Sequence, residues 1–136
     1  MEISFWAMLV AAIAAFVVGA LWYSPLLFAN VWIKAKGFTE GDISKAKEKN
    51  MVPSYLAGFV INIVTAVSFA FFISIASASS FNQIVFIGFM LWIGFMVPIF
   101  FDNKLWDMKD SWVLFFINSF YRLAALLVMS LVFFLF

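Results

Sequence analysis

The stretch SWVLFFINSFYRLAALLVMSLVFFLF, residues 111–136, decides the fold. It is long and apolar enough to cross a bilayer, whose hydrocarbon core of about 30 Å needs about 20 apolar residues of helix. Yet it carries Asn118 and Arg122. At about 1.5 Å of rise per residue, Arg122 lies about 16 Å beyond Ser111, close to the bilayer midplane. A guanidinium keeps its charge there and must find acceptors, water or an anion; left alone it costs between about 3 and about 17 kcal/mol. The rest of the chain has to accommodate it.

That rest is equally apolar. Of 136 residues, 67% are hydrophobic and 11% charged, against about 25% charged in a soluble domain. Four long apolar runs fill the length. They predict one all-α domain, an integral membrane four-helix bundle, with spans at roughly 3–23, 53–75, 81–101 and 111–136. The absence of cysteine and histidine removes disulfides, thiolate chemistry, imidazole metal sites, axial haem histidines and the commonest general base. No catalytic constellation stands out, and no metal or other cofactor is expected. Met90 and Met96 read as packing on apolar helices rather than as copper ligands. A net charge of +1 says nothing in favour of nucleic acid. The first apolar run lacks a basic leader and a clear cleavage site, so it is expected to stay as a helix.

On the first span, Ala7, Ala11, Ala15 and Gly19 recur every four residues and form a ridge almost without side chains. Such ridges let apolar helices approach closely where lipid offers no hydrophobic driving force. Ser24-Pro25 interrupts the span. The apolar segment from Leu26 to Lys36 then suits an interfacial helix or a bent continuation of the first span. Thr39 with Asp42 three residues on resembles a capping box, opening a short polar helix to about Asn50. The segment 34–52 carries Lys34, Lys36, Lys45, Lys47 and Lys49, a solvated face that sets topology or meets anionic lipid or a partner.

Pro53 opens the second span, where its missing N–H costs little. Ser54, Gly58, Asn62, Ala66 and Ala70 repeat at four-residue spacing, so Asn62 shares a face with small residues and is expected to point into the bundle. The tight loop 76–80 makes the second and third spans antiparallel neighbours. Pro98 is expected to kink the third span and free the Gly94 carbonyl. A charged turn follows, with Asp102, Asn103, Lys104, Asp107, Lys109 and Asp110, flanked by Trp106 and Trp112 as interface anchors.

Five lysines lie between the first two spans and two between the last two. The positive-inside rule places both connections in the cytoplasm and both termini outside, in a bacterial or archaeal cytoplasmic membrane. In that arrangement the second and fourth spans start at the same face, and Asn62, about 13 Å from Pro53, shares a level with Asn118 and Arg122. Gly94 falls near it. Arg122 is therefore expected to be satisfied by Asn118, Asn62 and the Gly94 carbonyl, with Asp102 the nearest carboxylate. This cluster is either a structural lock or a site for a small anion, a lipid headgroup or a partner's carboxylate.

Four fragments carry a resemblance. Gly19-Ala20-Leu21-Trp22-Tyr23-Ser24-Pro25-Leu26-Leu27-Phe28, then Gly37-Phe38-Thr39, then Trp92-Ile93-Gly94-Phe95 with Pro98, then Ile117-Asn118-Ser119 with Tyr121, together resemble the domain of unknown function 1761 family of small membrane proteins. The resemblance implies a four-helix membrane fold and no established activity. It also implies an apolar or aromatic residue at the place of Arg122, so the role of that residue is expected to be particular to this protein or its complex.

The functional expectation is a non-enzymatic membrane protein acting through helix–helix assembly. It would be an accessory subunit of a larger membrane complex or a homo-oligomer, in contact with membrane lipids and other membrane subunits. The alternative is a small anion channel or carrier whose path is lined by Asn62, Asn118 and Arg122.

Overall fold

The computed structural model describes residues 2–107 and 111–136; Lys109 and Asp110 of the charged turn lie outside the described residues. The helices are α1 (Phe5–Trp22), α2 (Ala29–Lys36), α3 (Glu40–Glu48), α4 (Val52–Ile75), α5 (Phe81–Leu91), α6 (Val97–Trp106) and α7 (Trp112–Leu135), with a π-helical segment, Trp92–Met96, joining α5 to α6. Among the described residues, four helical stretches are long and apolar enough to cross a membrane: α1, α4, the continuous α5–π–α6 rod from Phe81 to Trp106, and α7. The protein is an all-α membrane bundle.

Short polar side chains start the spans, because the first N–H groups of a helix have no partner within it. Ser4 Oγ accepts from the Ala7 amide at 3.1 Å and Ser111 Oγ from Leu114 at 3.3 Å. Before α5, Ser80 Oγ accepts from the Gln83 amide while Gln83 Oε1 accepts from the Ser80 amide, a reciprocal cap. The Thr39–Asp42 box expected at α3 is present, with reciprocal bonds of 2.9 and 3.2 Å. Between the first two spans the chain makes two short helices. α2 ends at Gly37, whose φ of +72° suits a residue without a Cβ. α2 is not a bent continuation of α1, because the turn at 23–28 closes on itself: Leu27 and Ala29 both donate to the Ser24 carbonyl.

The third span runs five residues beyond the expected end near Phe101. Pro98 falls in the first turn of α6, where a missing N–H is tolerated. Ahead of it the backbone widens to π geometry, with the Val97 N–H donating to the Trp92 carbonyl. The expected disruption at Pro98 is thus taken up by an inserted residue.

α7 is the hub, packed by α1, α2, α5, the π segment and α6, while α4 packs mainly on α1 and more lightly on α5. The Ala7, Ala11 and Ala15 ridge is fully buried inside the chain. The core is concentrated in one half of the bundle, away from the lysine-bearing connections. There Ala66, Phe69, Ala70 and Ile73 of α4 and Leu126, Met129 and Phe133 of α7 belong to one buried cluster, all 2% exposed or less. Phe69 and Phe133 pack edge to face at 5.6 Å, and a Cβ on Gly88 of α5 would stand 3.1 Å from the Phe69 ring. In the other half, α4 has no buried residue before Asn62. There α4 touches α1 through Gly58 and Phe59, which rest against Phe16, and a cleft opens beside this contact.

Candidate functional site

The level of α7 from Ile117 to Arg122 organises the polar chemistry. The Trp22 indole Nε1 donates to the Ile117 carbonyl at 3.0 Å, and the Tyr23 hydroxyl donates to Asn118 Oδ1 at 2.7 Å. From the opposite flank, the buried Trp92 Nε1 donates to the Ser119 carbonyl at 2.6 Å. Ser24 caps the end of α1, its hydroxyl donating to the Leu21 carbonyl at 2.7 Å, and Pro25 lies in the turn. The Tyr121 ring lies against Gly19, its hydroxyl 3.4 Å from the Ala15 carbonyl. Trp22 and Tyr23 from the end of α1 and Trp92 from the third span thus clamp α7 at 117–119, and Tyr121 reaches from α7 back to α1.

Three of the four fragments quoted for the family resemblance meet in this clamp. A family model described as a protein of unknown function, DUF1761, matches residues 6–134. The chain belongs to that family. No curated protein and no solved structure matches this DUF1761 chain.

Beside the clamp, between α1, α4 and α7, lies a cavity of about 510 Å³. Phe16, Ala20 and Tyr23 line one side, Tyr55, Gly58 and Asn62 the second, and Tyr121 and Arg122 the third. Asn62 is 3% exposed, and its Oδ1 is buried without a hydrogen-bond partner among the described residues. Arg122 is half-buried. Its guanidinium carbon lies 5.1 Å from the centroid of the Tyr121 ring, a cation–π contact. Among the described residues it makes no hydrogen bond and no ion pair. Two strongly polar side chains therefore face one cavity with their hydrogen-bonding capacity unfilled.

This arrangement differs from the expected cluster in three members. Asn118 is engaged by Tyr23 and lines two other cavities, one beside α2 with Trp32 and Lys36, the other at the base of α6. Asn118 shares a face of α7 with Arg122, four residues on, but its carboxamide oxygen is taken by Tyr23. Gly94 is exposed on the outer side of the third span, with open space where a Cβ would be. Asp102 is exposed and accepts from Trp106 Nε1 at 3.0 Å, one turn along its own helix. Of the expected partners, the structure brings Asn62 alone to the cavity that holds Arg122.

The remaining residues singled out by spacing fall in two groups. Ala66 and Ala70 are buried, Gly58 packs near Phe16, and Ser54 is exposed at the open end of α4. Lys34, Lys36, Lys45, Lys47 and Lys49 are all exposed, with Lys36 Nζ 5.7 Å from the Trp32 ring. Asp42, on the same connection, has its carboxyl held below the usual carboxylate range, first by the Thr39 backbone N–H and then by the Thr39 hydroxyl. The three tyrosines were missed as site residues or read as a turn motif. Their polar tips on apolar rings suit a cavity that is dry on its walls and polar at one point.

Proposed function

We propose that this DUF1761 protein is a non-enzymatic membrane component that holds an anionic group at Arg122, in the cleft between α1, α4 and α7. One observation carries the reading: a guanidinium expected at lipid depth, without an acceptor among the described residues, facing a cavity it shares with the buried Asn62, whose Oδ1 is unpaired among them. An isolated charge at that depth is too costly to be a passive feature, and a bound anion removes most of the cost. The lack of histidine and cysteine supports a binding role over catalysis.

A holding site fits better than a conduction path. Beyond the cavity, in the far half of the bundle, lie Ala66, Phe69, Leu126 and Phe133, each 1% exposed or less, so a route past Arg122 would have to open a buried core. Membership of a larger complex, or self-assembly, is compatible with this role, and either would use outer faces because the α1 ridge is occupied within the chain. With the lysine-bearing connections cytoplasmic, the cleft belongs to the cytoplasmic half of the bilayer.

The test is thermal unfolding of purified protein in a neutral detergent, titrated with anionic and with zwitterionic lipid. Ligand at about 100 times its Kd stabilises the folded state by about 2.7 kcal/mol. The expected result is stabilisation by anionic lipid in wild type and in Arg122→Lys, absent in Arg122→Leu. Equal stabilisation of all three proteins would remove the reading.

A further inference from the structure

The unpaired groups of the cleft also restrict what the bound anion can be. Arg122 offers donors and no acceptor, so it needs an oxyanion. The Asn62 carboxamide offers both, and its Oδ1 is the buried side-chain atom left without a donor among the described residues. A bare, fully ionised anion would satisfy Arg122 and leave Asn62 Oδ1 as it is. An anion joined to a hydroxyl would satisfy both. Size points the same way: about 510 Å³ lies in the range of sites for organic ligands of about 300–1,000 Å³, far above the needs of an inorganic ion. The walls are apolar around this polar point, with Phe16, Ala20 and Gly58 beside the rings of Tyr23 and Tyr55.

Resting on the anion-binding reading above, we infer that the cleft recognises the headgroup of a phospholipid in which a phosphodiester anion is joined to a free hydroxyl, Arg122 taking the phosphate and Asn62 the hydroxyl. The polar headgroup enters at the start of α4, where no residue before Asn62 is buried and Ser54 and Tyr55 are exposed, beside the point where Gly58 and Phe59 rest against Phe16. The acyl chains stay with the apolar wall and the surrounding lipid.

The experiment is competition binding to the full chain in nanodiscs of phosphatidylcholine, doped with one of two lipids of equal charge: phosphatidylglycerol, which has free hydroxyls, or phosphatidylmethanol, which has none. Soluble glycerol 3-phosphate is the third probe. The expected result is phosphatidylglycerol bound about tenfold more tightly than phosphatidylmethanol, the size of one hydrogen bond made or left unmade in a buried site. Asn62→Leu removes that difference while keeping the preference of both lipids over phosphatidylcholine, and glycerol 3-phosphate competes weakly. Equal binding of the two anionic lipids, still dependent on Arg122, overturns the hydroxyl requirement and leaves the anion site standing. Competition by glycerol 3-phosphate as strong as by the lipid overturns the lipid assignment. No binding that depends on Arg122 overturns both readings. Circular dichroism of Asn62→Leu, together with its retained binding of phosphatidylmethanol, separates a lost contact from a lost fold.

Discussion

Tyr121 leaves no room for a side chain at Gly19: a Cβ there would stand 2.7 Å from the Tyr121 hydroxyl oxygen and 3.0 Å from the ring carbon that bears it. The small-residue ridge of α1 therefore ends on a ring of α7, which is itself 8% exposed and cannot swing away freely. Gly19→Ala is expected to destabilise the bundle by about 1–3 kcal/mol, the usual range for overpacking. Tyr121→Leu in the same protein should recover much of the loss, because it removes the ring that the new methyl meets. Thermal unfolding of the two single variants and the double variant measures the coupling. Additive losses would show that the two residues do not oppose each other.

The Tyr23–Asn118 bond is the second contact open to measurement. It joins residues 95 apart in sequence at 2.7 Å, and its removal by Tyr23→Phe should cost about 1 kcal/mol. Interhelical hydrogen bonds in membranes average about 0.6 kcal/mol with a maximum near 1.7, so a double-mutant cycle with Asn118→Leu should give a coupling in that range. A coupling near zero would mean that Asn118 finds another donor when the phenol is absent.

Arg122 leads to an unusual expectation for a charged residue half-buried in a bundle. Since no acceptor among the described residues holds the guanidinium, Arg122→Leu in lipid-free neutral detergent should leave stability unchanged or raise it by up to about 3 kcal/mol, the cost of an unsatisfied charge at this depth. A structural lock would behave in the opposite way. A fall of more than about 1 kcal/mol in the variant would assign Arg122 to holding the helices together.

The connection bearing the lysines should loosen in acid. Because the carboxyl of Asp42 is held below its usual range by Thr39, its folded-state pKa lies under its unfolded one of about 3.9. The cap therefore contributes fully above the unfolded value and is lost as pH falls through the folded one. Amide exchange across α3, Glu40–Glu48, should accelerate below about pH 4 after correction for intrinsic rates. Asp42→Asn, which keeps an acceptor but no titration, should show no such dependence. An unchanged acid response in that variant would place the titration elsewhere.

What could be read from sequence follows the range of each interaction. The spans, the break at Ser24-Pro25 and the Thr39–Asp42 cap are local, set by hydropathy and by neighbours within four residues. The four-residue spacing that put Asn62 on one face with Ala66 and Ala70 also worked, since all three are buried. The partners of Arg122 were expected from depth along the bilayer, and depth fixes a height but not a direction around the helix axis. Gly94 lies near the right height and faces outward, while Asn118, on the same face as Arg122, is taken by Tyr23. Nor does spacing reveal that Tyr23 would reach across from the end of α1, or that the Trp22 and Trp92 indoles would reach the α7 backbone from two sides. Those contacts depend on how the helices pack.

The π segment before Pro98 carries a consequence for the ancestry of the third span. One residue beyond α-helical count turns everything after it by about 100° about the axis, with no change in either flanking loop. Relatives that run straight through this point would match the chain residue for residue on the Phe81 side and again beyond Val97 only if a single position is skipped between Trp92 and Met96. Such a gap, inside a continuous helix instead of a loop, would mark where one branch of the family gained or lost this wide turn.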